Sequence, residues 1–432
     1  MGLRYLSEAR RRALTTASAW GKLRVMSLPA NADHTCRILA IDGGGIRGLV
    51  PATILAALEK SLGAPLAQHF HMLAGTSTGG ILAAGLAHEI PTSQLVDFYL
   101  KDGGAIFTPA LLSNIDGPKY DPTPLEAALK TAFGDTRLSQ LPHDVACPAY
   151  DIGARQPVIF KSWEARGIEQ PAAPSKDFLV REVARCTSAA PTYFPPGQAH
   201  AVDGSTLSLI DGGMFGNNPA LIAMVAARRL MPLAKRFLVV TLGTGQNLQS
   251  LAYADAVGWG VVGWMTTGGL IDIMFDAMGS TVEYELDQLD VVSQLRLQSS
   301  LQGANDVLDD ASATNMAALQ TCAKRTLTER AKDIEALVAE LKTPLPDRVK
   351  LGYPKASEPV RPPKITNFNI PKIVLKAAVT PSSTPAAKSK APWQIGGALA
   401  GAFAGAVVGG PAGAIIGGLA GLFGATELAP RS

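Results

Sequence analysis

Phe70-His71-Met72-Leu73-Ala74-Gly75-Thr76-Ser77-Thr78-Gly79-Gly80-Ile81-Leu82-Ala83-Ala84-Gly85-Leu86 is the stretch whose reading decides the fold. A short apolar run enters a Gly/Ser/Thr cluster, and a second apolar run leaves it. Strand, tight turn, helix is the context in which G-x-S-x-G forms a nucleophile elbow, with the serine at the apex of the turn. Gly75 and Gly79 permit the turn and a close approach of helix to strand. The pentapeptide by itself reads equally well as a plain turn, because Gly, Ser and Thr also cluster in ordinary turns. What separates the two readings lies elsewhere in the chain.

Upstream, Arg37-Ile38-Leu39-Ala40-Ile41 has the apolar, β-rich character of a buried strand. It runs straight into Asp42-Gly43-Gly44-Gly45-Ile46-Arg47-Gly48. Pro51 then opens an amphipathic helix that reaches about Leu62. The order is again strand, glycine-rich loop, helix. Such alternation predicts an α/β fold with a mainly parallel central sheet and helices on both faces. Ligands in such sheets bind at the carboxyl ends of the strands, where both glycine-rich loops fall. Further strands are expected at 144–151, 157–161, 207–210 and 237–242. Helices are expected at 92–100, 123–133, 177–187 and 219–230, with helical additions at 251–290 and 311–342.

The chain has 432 residues, 47% hydrophobic, and a formal net charge of +3. That suffices for one large domain or two smaller ones. The charge excess is small and aromatics make up 6%, so neither a basic face nor a base-stacking surface points to a nucleic acid polymer. Cys36, Cys147, Cys186 and Cys322 lie far apart and form no CxxC pair, which argues against a metal site or disulfide framework and fits a reducing compartment. Residues 1–35 read as a basic helical arm. Their interspersed charges leave no apolar run, so no signal peptide is expected. Residues 343–394 are rich in proline and read as a linker or a loop wrapping the surface. The tail at 395–425 holds no charge and repeats glycine at every fourth position from Gly397 to Gly421. It exceeds the roughly 20 residues that span a bilayer, although Pro411 interrupts it. Membrane insertion or tail-mediated oligomerisation is expected of it, against a flexible low-complexity tail.

A serine nucleophile needs a base for its proton and donors for the developing oxyanion. None of the histidines, His34, His69, His71, His88, His143 and His200, sits in an evident triad motif. His69 and His71 fall at the amino-terminal end of the strand before Ser77, away from the turn. Asp211 is the better base candidate. It ends an apolar strand in Leu209-Ile210-Asp211-Gly212-Gly213, and that strand is expected in the same sheet. A Ser–Asp pair suffices chemically where the site is dry enough to raise the carboxylate's proton affinity. An ordinary Asp-Gly turn is the plain alternative. Consecutive N–H groups at Gly43, Gly44 and Gly45 would form an anion-binding concavity. Arg47 would either add charge there or brace the loop. Gly43, Gly45 and Gly48 also fit G-x-G-x-x-G, but no Lys-Ser/Thr follows and no acidic residue closes a second strand.

Four motifs in order carry a resemblance. They are Asp42 to Gly48, Gly75 to Gly79, Ser188-Ala-Ala-Pro-Thr-Tyr-Phe-Pro-Pro196, and Asp211-Gly-Gly213 followed by Asn217-Asn218-Pro219. Together they resemble the patatin-like phospholipases over roughly residues 36 to 245. The helical section to about 330, including Asp309-Asp310-Ala311-Ser312, is similar to bacterial members. The resemblance implies a patatin-like three-layer sandwich spanning residues 36–342 with its helical additions. It implies lipid acyl hydrolysis with Ser77 as nucleophile, Asp211 as base and Gly43, Gly44 and Gly45 as the oxyanion hole. Arg47, Gly75, Gly79, Gly212 and Gly213 would support these, with no metal and no cofactor. A phospholipid membrane is the implied partner. Some bacterial members of this architecture are antiphage effectors switched on by cyclic nucleotides. On that likeness a cyclic dinucleotide activator, a homo-oligomer, and a cytoplasmic location acting at the inner face of the membrane are expected. The competing expectation, from the tail, is a membrane-inserting or oligomerising protein.

Overall fold

The structure, a computed structural model, describes residues 34–109, 117–168, 176–247, 250–266 and 269–354. The arm at 1–33, the proline-rich stretch from 355 and the glycine-repeat tail lie outside the described residues. By internal contacts the chain divides into two units. One carries the sheet and runs through Met1–Ser113, Pro118–Gln249 and Met274–Val360. The described part of the other is essentially Ser250–Ile273.

The sheet has eight strands: β1 (Thr35–Ile41), β2 (Met72–Gly75), β3 (Asp144–Asp151), β4 (Gln156–Lys161), β5 (Gly197–His200), β6 (Thr206–Asp211), β7 (Arg236–Leu242) and β8 (Val292–Leu297). Their order is β5-β6-β3-β2-β1-β7-β8, with β4 paired to β3. Strands β3, β2, β1, β7 and β8 are parallel neighbours, and the pairs involving β4, β5 and β6 are antiparallel. Alternation in β1 shows why helices cover both faces. Leu39 and Ile41 enter one core cluster, while Cys36, Ile38 and Ala40 enter the other. A strand buried on both sides is mainly apolar, which is how Ile38 to Ile41 of β1 reads in sequence.

The first layer packs α1 (Leu49–Leu62), α2 (Thr78–Ala87), α3 (Thr123–Phe133) and α4 (Val180–Thr187) into the larger cluster. On the other face, Ala220, Ala223, Ala227 and Leu230 of α5 (Ala220–Leu230) are buried. On this same face α6 (Leu270–Asp287) buries Leu286, whereas α7 (Ala313–Glu329) and α8 (Ala331–Lys342) return to the first face, where Leu319, Ala323, Leu337 and Leu341 join the larger cluster.

The placement of β6 decides the site. Ala146 of β3 pairs with Lys161 of β4 and with Ala74 of β2, so β2 and β4 flank opposite edges of β3. Ala149 pairs with Val158 of β4 and with Asp211 of β6, so β6 also lies opposite β4. Strands β2 and β6 therefore share one edge of β3 in tandem. Since β6 runs antiparallel to β3, its carboxyl end is aimed at the carboxyl end of β2. Asp211 reaches Ser77 head-on along one edge, and not as the end of another parallel strand.

Several expectations change. Strands β5 and β8 had no forecast. The four residues Gly197–His200 are too few for a readable pattern, and β8 follows a stretch of helical periodicity. The described residues of that stretch, 251–290, form three helices, Tyr253–Ala256, Val261–Thr266 and α6, with Gly258 and Gly260 ahead of the second and Gly269 ahead of the third. The expected addition at 311–342 breaks at Arg330. Residues 343–354, the start of the stretch read as a linker or a loop wrapping the surface, pack on the sheet unit. Arg348 pairs with the buried Asp144 at 2.6 Å and donates to the His71 carbonyl, and Leu351 is fully buried.

Candidate active site

Ser77 follows β2 and caps α2 with φ 55° and ψ −126°. A side chain other than glycine is rarely found there, and such a backbone costs on the order of 1–3 kcal/mol. The surroundings hold it in place. Thr76 N–H donates to the Ile41 carbonyl (3.1 Å), and Thr76 Oγ1 donates to the Gly216 carbonyl (2.6 Å). Gly79 N–H donates back to the Thr76 carbonyl (2.8 Å). The flanking glycines are obligatory for a steric reason. A Cβ on Gly75 would run into the Gly79 carbonyl, and one on Gly79 into the carbonyls of Ile41 and Asp42.

Asp211 is buried, with 5% of its surface exposed. Burial pushes its carboxyl up to about 7, against hydrogen bonds from Gly213 N–H (2.7 Å) and from the Ser77 side chain, which pull it down. The serine side chain thus lies near enough to the aspartate to act on its proton affinity. Gly212 has no room for a side chain because a Cβ would strike the Pro148 carbonyl.

Thr187, which the sequence reading did not single out, ties the two together. Its Oγ1 donates to the Pro148 carbonyl (2.6 Å) and accepts from Ser77 N–H (3.1 Å). Its carbonyl accepts from Gly212 N–H (3.3 Å), and Ala189 O accepts from Asp211 N–H (3.0 Å). The Ser188-to-Pro196 motif begins immediately after Thr187, and its first residues hold the backbone of Asp211. That adjacency is the only signal in the sequence.

The glycine loop lies against the serine. A Cβ on Gly43 would come within 3.2 Å of Ser77 Cβ and would overlap Asn217 Oδ1. Gly43 N–H is already bonded to the Asn217 carbonyl (3.1 Å), and the Gly43 carbonyl accepts from Thr244 Oγ1 (2.7 Å). Gly43 therefore positions the loop, while the N–H groups of Gly44 and Gly45 meet no acceptor among the described residues. Gly45 adopts φ +58°, and a Cβ there would strike the Leu308 carbonyl. Behind the loop, Asp42 is pinned by Arg296 at 2.5 Å. Arg47 is buried and donates to the Asp306 carbonyl (2.9 Å), so it braces the loop.

Five of the six histidines are committed elsewhere. His71 is fully buried; its Nδ1 accepts from Arg37 N–H (2.8 Å) and its Nε2 meets the Pro346 carbonyl (2.9 Å), so the ring is neutral, and burial lowers its pKa to about 4. His69 bonds the Leu341 carbonyl, His88 packs on Phe133, His143 pairs with Glu89 and His200 with Glu182. A cavity of about 740 Å³ lies between α5, α6 and the Phe215–Asn218 segment, and neither Ser77 nor Asp211 lines it. Among the described residues no group of three His, Cys, Asp or Glu is placed to hold a metal.

Chemically, the arrangement joins a hydroxyl on a strained turn, a carboxylate with a near-neutral pKa and two unengaged N–H donors. Comparison with known proteins bears on which reaction this serves. A family model described as patatin-like phospholipase matches residues 39–224. Patatin-like protein 2 of Oryza sativa subsp. indica is 34% identical over 65% of this chain and 80% of its own length. A Solanum tuberosum relative named "Probable inactive patatin-3-Kuras 1" is 32% identical over 74% of this chain and 95% of its own. Among solved structures, VipD from Legionella pneumophila superposes with a TM-score of 0.37 at 11% identity, over 69% of this chain and 67% of that one, too loose a match to carry an argument.

Proposed function

Because the chain belongs to the patatin-like phospholipase family, we propose that it is a serine lipid acyl hydrolase working through a Ser77–Asp211 dyad. One observation carries the reading: a serine held at φ 55° has its side chain beside a buried carboxylate, Asp211, whose pKa is pushed up to about 7. Relatives can keep the fold without the activity, so this local chemistry is what supports catalysis. Ser77 Oγ attacks the ester carbonyl of a membrane phospholipid while Asp211 accepts its proton. Gly44 and Gly45 N–H groups, on a loop positioned by Gly43, stabilise the oxyanion. The tetrahedral intermediate collapses, the C–O bond breaks, and the lyso-lipid leaves with the proton from Asp211. Water then gives a proton to Asp211 and attacks the acyl-enzyme. Collapse returns that proton to Ser77 and releases the fatty acid.

The test is fatty-acid release from phospholipid vesicles by the native chain beside Ser77→Ala. The variant should stay folded and lose roughly 10⁴-fold or more of the rate. Full activity in Ser77→Ala would overturn the assignment. On the sequence resemblance we further propose a cytoplasmic antiphage effector, oligomeric and switched on by a cyclic dinucleotide. Calorimetric titration of the native chain with cyclic dinucleotides should show binding, and no binding to any of them would remove that role.

A further inference from the structure

The stretch from Ser250 to Ile273, two short helices and the first turn of α6, turns apolar side chains outward. Leu251, Val257, Ile271 and Ile273 are exposed, and Tyr253 and Val261 keep 82% and 81% of their surface accessible. A helix packing on a core buries such residues on one face. Here they stand in water within one stretch of sequence, and contiguous exposed apolar surface marks an interaction site. Trp259 and Trp264 pack edge to face against each other, with ring centroids 5.4 Å apart and an interplanar angle of 86°. Tryptophan has an apolar body and a polar N–H and collects at the boundary between water and lipid.

Charge narrows the choice of partner. No lysine or arginine occurs between Arg236 and Arg296, and Asp255, on the first of these helices, is exposed. An anionic surface would be repelled by this stretch. A zwitterionic bilayer, with its ammonium groups outermost, accepts both Asp255 and the apolar side chains. Among the described residues no helix is long and apolar enough to cross a membrane, so contact would be interfacial.

We propose that residues 250–273 form the surface by which the protein docks on a zwitterionic phospholipid bilayer, with Tyr253, Val257, Val261 and the Trp259–Trp264 pair entering the headgroup boundary. The proposal rests on the lipid hydrolase reading, since a phospholipid substrate is presented in such a surface. Binding is driven by apolar burial and does not weaken at high salt, unlike binding through cations.

The test uses the full-length Ser77→Ala protein and phosphatidylcholine vesicles, so that the vesicles stay intact. Binding is read by co-sedimentation and by quenching of tryptophan emission with brominated phosphatidylcholine. Combining Tyr253→Asp, Val257→Asp and Val261→Asp should weaken binding by roughly tenfold or more. Replacing Trp259 and Trp264 by Phe should remove most of the quenching without unfolding the chain. With Ser77 restored, the triple variant should lose vesicle hydrolysis to a similar degree yet keep hydrolysis of a water-soluble short-chain ester. Wild-type binding by the triple variant would overturn the proposal. So would binding that needs anionic lipid and disappears in salt, or a surface found only to join two copies of the chain. A native chain unable to cleave the soluble ester would instead count against the dyad, and Ser77→Ala would still report the docking.

Discussion

At the scale of single residues, the reading turns on the protonation of Asp211. It can accept a proton from Ser77 only as a carboxylate, and burial holds its pKa near 7. The rate at limiting substrate should therefore rise with pH through about 7 and then level off. Asp211→Asn should lower it by roughly a thousandfold or more without unfolding the chain. The same shift has a consequence for stability with a definite sign. The unfolded carboxyl releases its proton near about 4, while the folded one keeps it to about 7. Between those values the folded state binds more protons, so this group's contribution to stability is lost as pH rises across the window. Urea midpoints of the native protein against those of Asp211→Asn would show it, since the variant should lack that slope. Thr187 was not legible in the sequence because a threonine at a helix end has many ordinary uses. Thr187→Val keeps the shape but leaves Ser77 N–H without its acceptor. A cost of about 1–3 kcal/mol is expected in denaturant unfolding, with a fall in catalytic rate and little change in substrate affinity.

At the scale of elements, the two strand–loop–helix units were readable because each carries its own punctuation. Apolar runs bound the strands, and glycines mark the turns. Gly79 shows how tightly the second unit is built. Its position against the carboxyl end of β1 leaves no space for a methyl group, so Gly79→Ala should destabilise the protein by about 1–3 kcal/mol and lower the rate together with the melting temperature. Strand β8 was not readable. Its alternation, with Leu295 and Leu297 buried, gains meaning only from parallel pairing with β7. The turns that divide residues 251–290 are likewise set by glycines, among them Gly269 at φ +56°, that a helical periodicity does not register.

At the scale of the whole molecule, the descent from sheet to site depends on a long-range closure. Asp144, fully buried at the start of β3, is held by Arg166 and by Arg348 from the segment after α8. Removing Arg348 leaves the carboxylate with one cation, so Arg348→Ala should cost about 1–3 kcal/mol, seen as a lower urea midpoint, while Ser77 retains its reactivity in the surviving folded protein. The proline-rich composition of residues 343–354 did not disclose this packing, because part of it runs through backbone carbonyls, Pro346 O meeting His71 and Thr343 O accepting from Arg37. Sequence alone determined which residues could do the chemistry: a serine between glycines, an aspartate ending a strand, a run of three glycines. Each is set by local steric demands that neighbouring residues reveal. Only tertiary structure decided that they meet. Asp211 faces Ser77 because β6 enters antiparallel on the edge of β3 that β2 vacates, and because Thr187 fastens both backbones. Pairing edge, strand direction and dryness are properties of contacts between residues from 62 (Ala149 to Asp211) to 134 (Ser77 to Asp211) positions apart in the chain, and no local pattern encodes them.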